Sequence, residues 1–176
     1  LVDVYSFLLE ELGVNYSVVA RGPWVGAVTP TTATAKARLA RQGQVARFAL
    51  STSPDLWRPR YFGPVRADSN HYNVVSFPMD RPKPDTQYYY AVELNGRLDE
   101  VKRGKFRTFP ENPKSFSFAY ASCARTASTS DVFDAIRLNH PLFYMNIGDF
   151  HYLDLTNANI GKFREAYDLV LASPQQ

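Results

Sequence analysis

The sequence holds one cysteine, Cys123, in 176 residues. That excludes an internal disulfide framework and leaves the redox compartment open. No apolar run is long enough to span a bilayer, so no transmembrane segment is expected. No signal-peptide pattern is visible, and the chain opens at Leu1 rather than Met, so we expect the natural start upstream. Charge of one sign is also scarce. Twenty Lys and Arg against 17 Asp and Glu leave a formal +3, too little and too dispersed to be a nucleic-acid-specific signal. What is plentiful is apolar and aromatic material. Twelve Phe and 11 Tyr can fill a core, which excludes a disordered chain. The length allows one large domain or two small ones.

Residues 1–21 read as a helix and a lead-in. Val2, Tyr5, Leu8, Leu9 and Leu12 recur at helical spacing over residues 1–16, and Gly13 can end the helix. Asn15-Tyr16-Ser17 matches a glycosylation sequon, which has meaning only in a secretory context. Residues 22–110 read as all-β. Ala33, Ala35, Ala37 and Leu39 alternate with Thr34, Lys36 and Arg38. Ala46, Phe48 and Leu50 alternate around Arg47, and Tyr88, Tyr90, Val92 and Leu94 alternate with Tyr89, Ala91 and Glu93. Period two with one apolar face predicts half-buried antiparallel strands. Asn95-Gly96 between two strand-like runs is a hairpin signal. Pro84-Asp85-Thr86-Gln87-Tyr88 fits a tyrosine corner leading into a sandwich strand. Several short strands with regular turns predict a β-sandwich, and this stretch resembles a fibronectin type III-like domain.

The pattern changes after Pro110, and Asn112-Pro113 reads as a linker. Phe116 to Ala121 reads as a strand, and Ser130 can cap a helix carrying Val132, Phe133 and Ile136. Leu142 to Ile147 reads as a strand buried on both faces. Ile160, Phe163, Ala166, Tyr167 and Val170 mark a second helix. Residues 111–176 therefore read β-α-β-α. A β-α-β crossover makes its strands parallel, so both end at one sheet edge, where ligand sites form in open α/β sheets. The first strand ends at Ser122-Cys123-Ala124-Arg125 and the second at Gly148-Asp149-Phe150-His151-Tyr152.

Taken singly, a cysteine at a strand end is most often a small buried hydrophobe, and Gly-Asp is common in loops. Their predicted convergence carries the argument. A carboxylate, a thiolate and a phenolate are anionic donors, and such a set suits a highly charged metal ion better than an anionic substrate. Gly148 lets the backbone turn sharply out of the strand, and the spacing from Asp149 to Tyr152 can return the phenol to the same centre. His151 lies inside the motif as a contact for substrate or solvent rather than a ligand. Other chemistries fit less well. A cysteine-nucleophile phosphatase loop needs an arginine where Thr129 stands. No nucleotide P-loop, Gly-x-Ser-x-Gly elbow or zinc spacing occurs. The Ser- and Thr-rich stretch from Ala124 to Ser130 reads as a solvated loop feeding a helix cap. His140 reads as a loop residue, and no role is expected for His71.

Gly22-Pro23-Trp24-Val25-Gly26-Ala27-Val28-Thr29, Pro84 to Tyr90, and Gly104-Lys105-Phe106-Arg107-Thr108-Phe109-Pro110 resemble the N-terminal domain of PhoD-like alkaline phosphatases. Phe118-Ala119-Tyr120-Ala121-Ser122-Cys123-Ala124 and Gly148 to Tyr152 resemble the opening of that family's metallophosphoesterase domain. The resemblance covers about residues 20–176. It implies a fold class of β plus α/β: a fibronectin type III-like sandwich over 22–110, then the opening β-α-β-α segment of a metallophosphoesterase domain over 111–176.

The resemblance also implies a metal-dependent phosphoric ester hydrolase, of alkaline phosphatase or phosphodiesterase type, acting on phosphate esters. It implies iron and calcium as cofactors, with another divalent metal pair as an alternative. Cys123 would be the thiolate ligand, Asp149 the bridging carboxylate and Tyr152 the phenolate. Beside this ligand set, Arg125 and His151 are candidates for substrate-contacting or outer positions, and Asp154 is a candidate for its proximity in the chain only. Family members are commonly exported, so an exported or membrane-associated location is expected on that ground only. One departure is large. The family's domain continues well beyond this chain's last residues, and residues 111–176 are too few for its full layer structure. The expectation is therefore a segment lacking the remaining metal ligands, inactive alone. The missing C-terminal part of the domain, or a partner chain, would cover the open sheet edge. The alternative is a non-catalytic structural or interaction subunit derived from such a phosphatase.

Overall fold

The computed structural model describes residues 17–175. The helix expected over 1–16 lies outside them. The chain divides after Asn112 into two compact units.

In the first unit, β1 (Arg21–Gly26), β2 (Thr32–Arg38) and β5 (Val74–Asp80) form one antiparallel sheet in the order β1-β2-β5. The second sheet holds β3 (Val45–Ser51), β4 (Arg60–Arg66), β6 (Gln87–Leu94), β7 (Arg97–Leu98) and β8 (Gly104–Arg107). Its order is β4-β3-β6, with β7 and β8 both on the far side of β6. This is the β-sandwich that the alternation predicts. Ala33, Ala35 and Ala37 of β2 point inward, as do Phe48, Tyr90 and Val92 of the opposite sheet. Phe48 stacks on Phe77 of β5 with ring centroids 5.7 Å apart and lies 5.2 Å from Tyr90. Small side chains on one sheet leave room for large rings on the other, which is how interdigitating inner faces reach native density.

Local signals act where expected. Asn95 and Gly96 both have positive φ, 53° and 82°, and join β6 to β7 with Leu94 opposite Arg97. A two-residue turn of this kind matches the twist of its strands. The Tyr88 hydroxyl accepts from the Lys83 N–H at 2.7 Å and closes the tyrosine corner. The outer face of β6 differs from expectation. Ala91 and Glu93 are buried as well. Arg47 donates to both carboxylate oxygens of Glu93, at 2.9 and 2.8 Å, and its guanidinium covers the Tyr61 ring at 4.1 Å. An ion pair and an aromatic roof thus bury a face that alternation alone assigns to solvent.

The second unit runs β9 (Ala119–Ala121), α1 (Val132–Leu138), β10 (Tyr144–Asn146), α2 (Ile160–Leu171). β9 and β10 pair in parallel, with Ala119, Tyr120 and Ala121 opposite Tyr144, Met145 and Asn146. The Asn159 side chain caps α2 by accepting from the N–H groups of Gly161 and Lys162. Ser130 does not occupy the cap position of α1; Asp131 does, while the Ser130 hydroxyl accepts from the Val132 N–H.

The second unit departs from expectation in its strands. Both strands are three residues long, shorter than the apolar runs 116–121 and 142–147. β10 is exposed rather than buried on both faces: Met145 is 46% exposed and its neighbour Tyr120 is 63%. Burial of a parallel strand comes from layers packed on both faces. Among the described residues this sheet has two strands, and its aromatic side, where Phe118 stacks on Phe143 at 5.1 Å, stays open to solvent. The apolar face of α2 is likewise half used: Ala166 and Val170 are buried, while Ile160, Phe163 and Tyr167 are exposed.

Candidate metal centre

Parallel pairing brings the C-terminal ends of β9 and β10 side by side, and each strand is left through a strained turn. Cys123 has φ 61° and Asp149 has φ 43°, both in the left-handed region that residues with a Cβ seldom adopt. Gly148, at φ 152°, stands before Asp149 with open space where a Cβ would be.

The turns aim three donors at one point. The Asp149 carboxylate lies at the centre, its Oδ2 3.5 Å from the Cys123 sulfur and 2.7 Å from the Tyr152 phenol oxygen, and both donate to it. The Ser122 hydroxyl lies 3.2 Å from the same sulfur. Hydrogen bonds to Cys123 first, and to Asp149 second, hold the Tyr152 phenol far above its ordinary pKa, because its neighbours favour the protonated oxygen. All three side chains are exposed, so an ion can reach them.

The donor set fits a metal ion. Sulfur about 2.3 Å and oxygen about 2.0 Å from one ion lie about 3.1–3.5 Å apart at bond angles of about 90–110°. The Cys123–Asp149 separation falls within that span. The Tyr152–Asp149 distance is shorter, as the hydrogen bond occupying it requires. Among the described residues, no group of three His, Cys, Asp or Glu is placed to hold a metal. The cluster contributes two such residues, and its third donor is a phenol.

Among the described residues, none of the other candidate residues bonds to these three donors. His151 packs on α2, edge-on to Tyr167 at 5.5 Å and tilted against Phe163 at 6.4 Å. Arg125 and Asp154 are exposed, and among the described residues neither makes a hydrogen bond or an ion pair. One residue escaped the reading of the sequence. Thr126, in the stretch expected to be a solvated loop, accepts from the Tyr152 N–H at 2.7 Å. No local pattern marks it, because the partner lies 26 positions along the chain.

No protein-family model matches the sequence, and no curated protein matches it. Among solved structures, PhoD matches over 92% of this chain with a TM-score of 0.78 at 15% identity, and this chain spans 36% of the PhoD chain. The sensor domain of the anti-sigma factor RsgI4 from Pseudobacteroides cellulosolvens matches over 58% of this chain and 82% of its own, with a TM-score of 0.45 and 16% identity. A fibronectin type III domain of human collagen XX matches over 50% of this chain and 88% of its own, with a TM-score of 0.37 and 16% identity. The fold of this chain is PhoD-like.

Proposed function

We propose that this chain carries part of the metal centre of a metal-dependent phosphoric ester hydrolase. Cys123, Asp149 and Tyr152 are its metal ligands, and iron with calcium is the favoured metal pair. The observation that carries the reading is the convergence of three potentially anionic donors, within 3.5 Å of one another through Asp149, at the shared end of two parallel strands. Both other donors touch the Asp149 carboxylate, so the three lie close enough to share a cation, and Asp149 would be the bridging carboxylate by the family resemblance. Residues 22–110 are then the family's fibronectin type III-like domain and 111–176 the start of its metallophosphoesterase domain.

The bound metals supply positive charge at the phosphoryl group and acidify water. The chain's own part is to hold and release protons. Cys123 and Tyr152 each donate to Asp149 when no cation is present and must shed those protons to ligate, so metal uptake releases protons and weakens in acid. Arg125, exposed two positions after Cys123 in the chain, is assigned to the substrate's phosphate charge. His151 and Asp154 belong to the surrounding layer, and His151 steadies the loop through its ring contacts with α2.

The remaining ligands come from further polypeptide, either a later part of the same domain or a partner chain covering the open sheet edge. The exposed aromatic side of the two-stranded sheet supports that arrangement. It also favours the second reading, a non-catalytic interaction subunit that keeps the fold without the reaction. An exported or membrane-associated location rests on the family resemblance alone; among the described residues no helix is long and apolar enough to cross a membrane.

The test is phosphate release from mono- and diester substrates by the natural full-length protein, with metal content measured alongside. Asp149→Ala should abolish both metal retention and hydrolysis. Undiminished metal-dependent hydrolysis in that variant would end the site assignment. A metal-free, inactive natural protein that copurifies with a partner would favour the second reading.

A further inference from the structure

The three donors sit on two loops of unequal support. Cys123 lies two residues after the end of β9, and Asp149 two residues beyond the last β10 contact, where the Ile147 N–H donates to Ala121. Tyr152 has no such ladder beside it, because residues 149–156 form neither strand nor helix. Its phenol reaches Asp149 only if the backbone at 152 is held in place. The Leu153 N–H reaches the His151 ring nitrogen at 3.5 Å, too long to fix the chain firmly. The Tyr152 N–H, by contrast, donates to the Thr126 hydroxyl at 2.7 Å. That bond ties the loop after β10 to the loop after β9, three residues beyond Cys123. It spans the same 26 positions that separate Cys123 from Asp149.

We propose that Thr126 is a positioning residue for the metal centre. Its hydroxyl holds the main chain at Tyr152, so that the phenol meets Asp149 and Cys123 before a metal arrives. The inference rests on reading the cluster as a metal site. Groups that orient ligands from outside the coordination sphere typically change metal affinity by about 10- to 100-fold when removed.

The test uses the natural full-length protein and iron(III) alone as the probe. It reads the dissociation constant against a competing chelator, and the visible absorption that a phenolate ligand confers on iron(III). Thr126→Val, which keeps the shape and loses the acceptor, should weaken iron(III) binding about tenfold or more and diminish that absorption. Thr126→Ser should restore both. In a Tyr152→Phe background, Thr126→Val should add little, because the hydroxyl acts through the phenol. In metal-free protein, the Tyr152 amide should exchange faster in Thr126→Val and at the parent rate in Thr126→Ser.

Iron(III) binding that is lost in Asp149→Ala but unchanged in Thr126→Val would overturn this inference alone. So would full additivity with Tyr152→Phe, or an unchanged Tyr152 amide. Parent protein that takes up no iron(III) would overturn the metal reading and this inference with it.

Discussion

Asp99 is the residue whose removal should tell most about the first unit. It is fully buried, in the segment between β7 and β8, and its carboxylate gathers five donors. Oδ2 accepts from the Ser17 hydroxyl at 2.6 Å, the Val18 N–H at 2.7 Å and the Val19 N–H at 3.3 Å. Oδ1 accepts from the N–H groups of Val101 at 2.9 Å and Lys102 at 2.7 Å. The Lys102 ammonium bonds the Val19 and Ala20 carbonyls, so the same neighbourhood holds both polar sides of the segment entering β1. Asp99→Ala strips an acceptor from four main-chain N–H groups at once, of which Val19 alone keeps another, the Ser17 hydroxyl at 3.3 Å. An orphaned buried donor costs about 1–3 kcal/mol. Relief of the carboxylate's own desolvation and entry of water offset part of that sum. Breaking one side of a buried charged network costs about 3–5 kcal/mol as a rule, and we expect that range here. For a unit of roughly 100 residues each kcal/mol lowers the melting midpoint by about 4–8 °C, so the midpoint should fall by at least about 12 °C. Asp99→Asn keeps one acceptor oxygen and turns an NH2 group toward donors, so it should fall between parent and Asp99→Ala. Urea unfolding followed by near-ultraviolet circular dichroism measures this, with the loss confined to the transition of the β-sandwich. An Asp99→Ala variant within 1 kcal/mol of the parent would refute the reasoning.

Three further predictions follow from single contacts. Burial lifts the Tyr90 phenol from its ordinary 10 to about 12. The unfolded chain then releases that proton first, and stability present below pH 10 is lost as pH rises through 12, by about 2–3 kcal/mol. Tyr90→Phe should flatten that part of the alkaline unfolding profile, and an unchanged profile would show that another group sets it. A Cβ at Gly104 would overlap the Tyr90 ring and hydroxyl, so Gly104→Ala should destabilise the sandwich by about 1–3 kcal/mol in the same urea assay. Cys123 and Tyr152 must lose protons to ligate, so metal uptake by the natural protein should release protons into a weakly buffered solution. Tyr152→Phe should lower the number released.

Much of the first unit was legible in the sequence. Alternation over residues 33–39, 46–50 and 88–94 shows which side chains face inward, because strand periodicity and burial are the same fact seen twice. Asn95-Gly96 and Tyr88 act through bonds or dihedrals within a few residues, so their signals survive in one dimension. Asp99 left no such trace. An aspartate followed by Glu100 reads as a surface turn, and its partners at Ser17 to Val19 are some 80 positions away. Glu93 hid in the same way, behind an arginine on the neighbouring strand.

The second unit shows the other limit. Apolar runs at 116–121 and 142–147 identify strands but not what covers them, and the expectation of burial failed because burial belongs to the neighbours. The candidate centre divides along the same line. The order of elements, the Gly148-Asp149 turn and the presence of Cys123 and Tyr152 at the strand ends were determined by the sequence, because crossover topology brings two strand ends together whatever the loops contain. The 2.7 and 3.5 Å contacts through Asp149, the left-handed backbone at Cys123 and Asp149, and the Thr126 tie were decided only in the tertiary structure. Those depend on how two loops, distant in the chain, close on each other, and hydrogen bonds between such loops have no period and no local pattern to read.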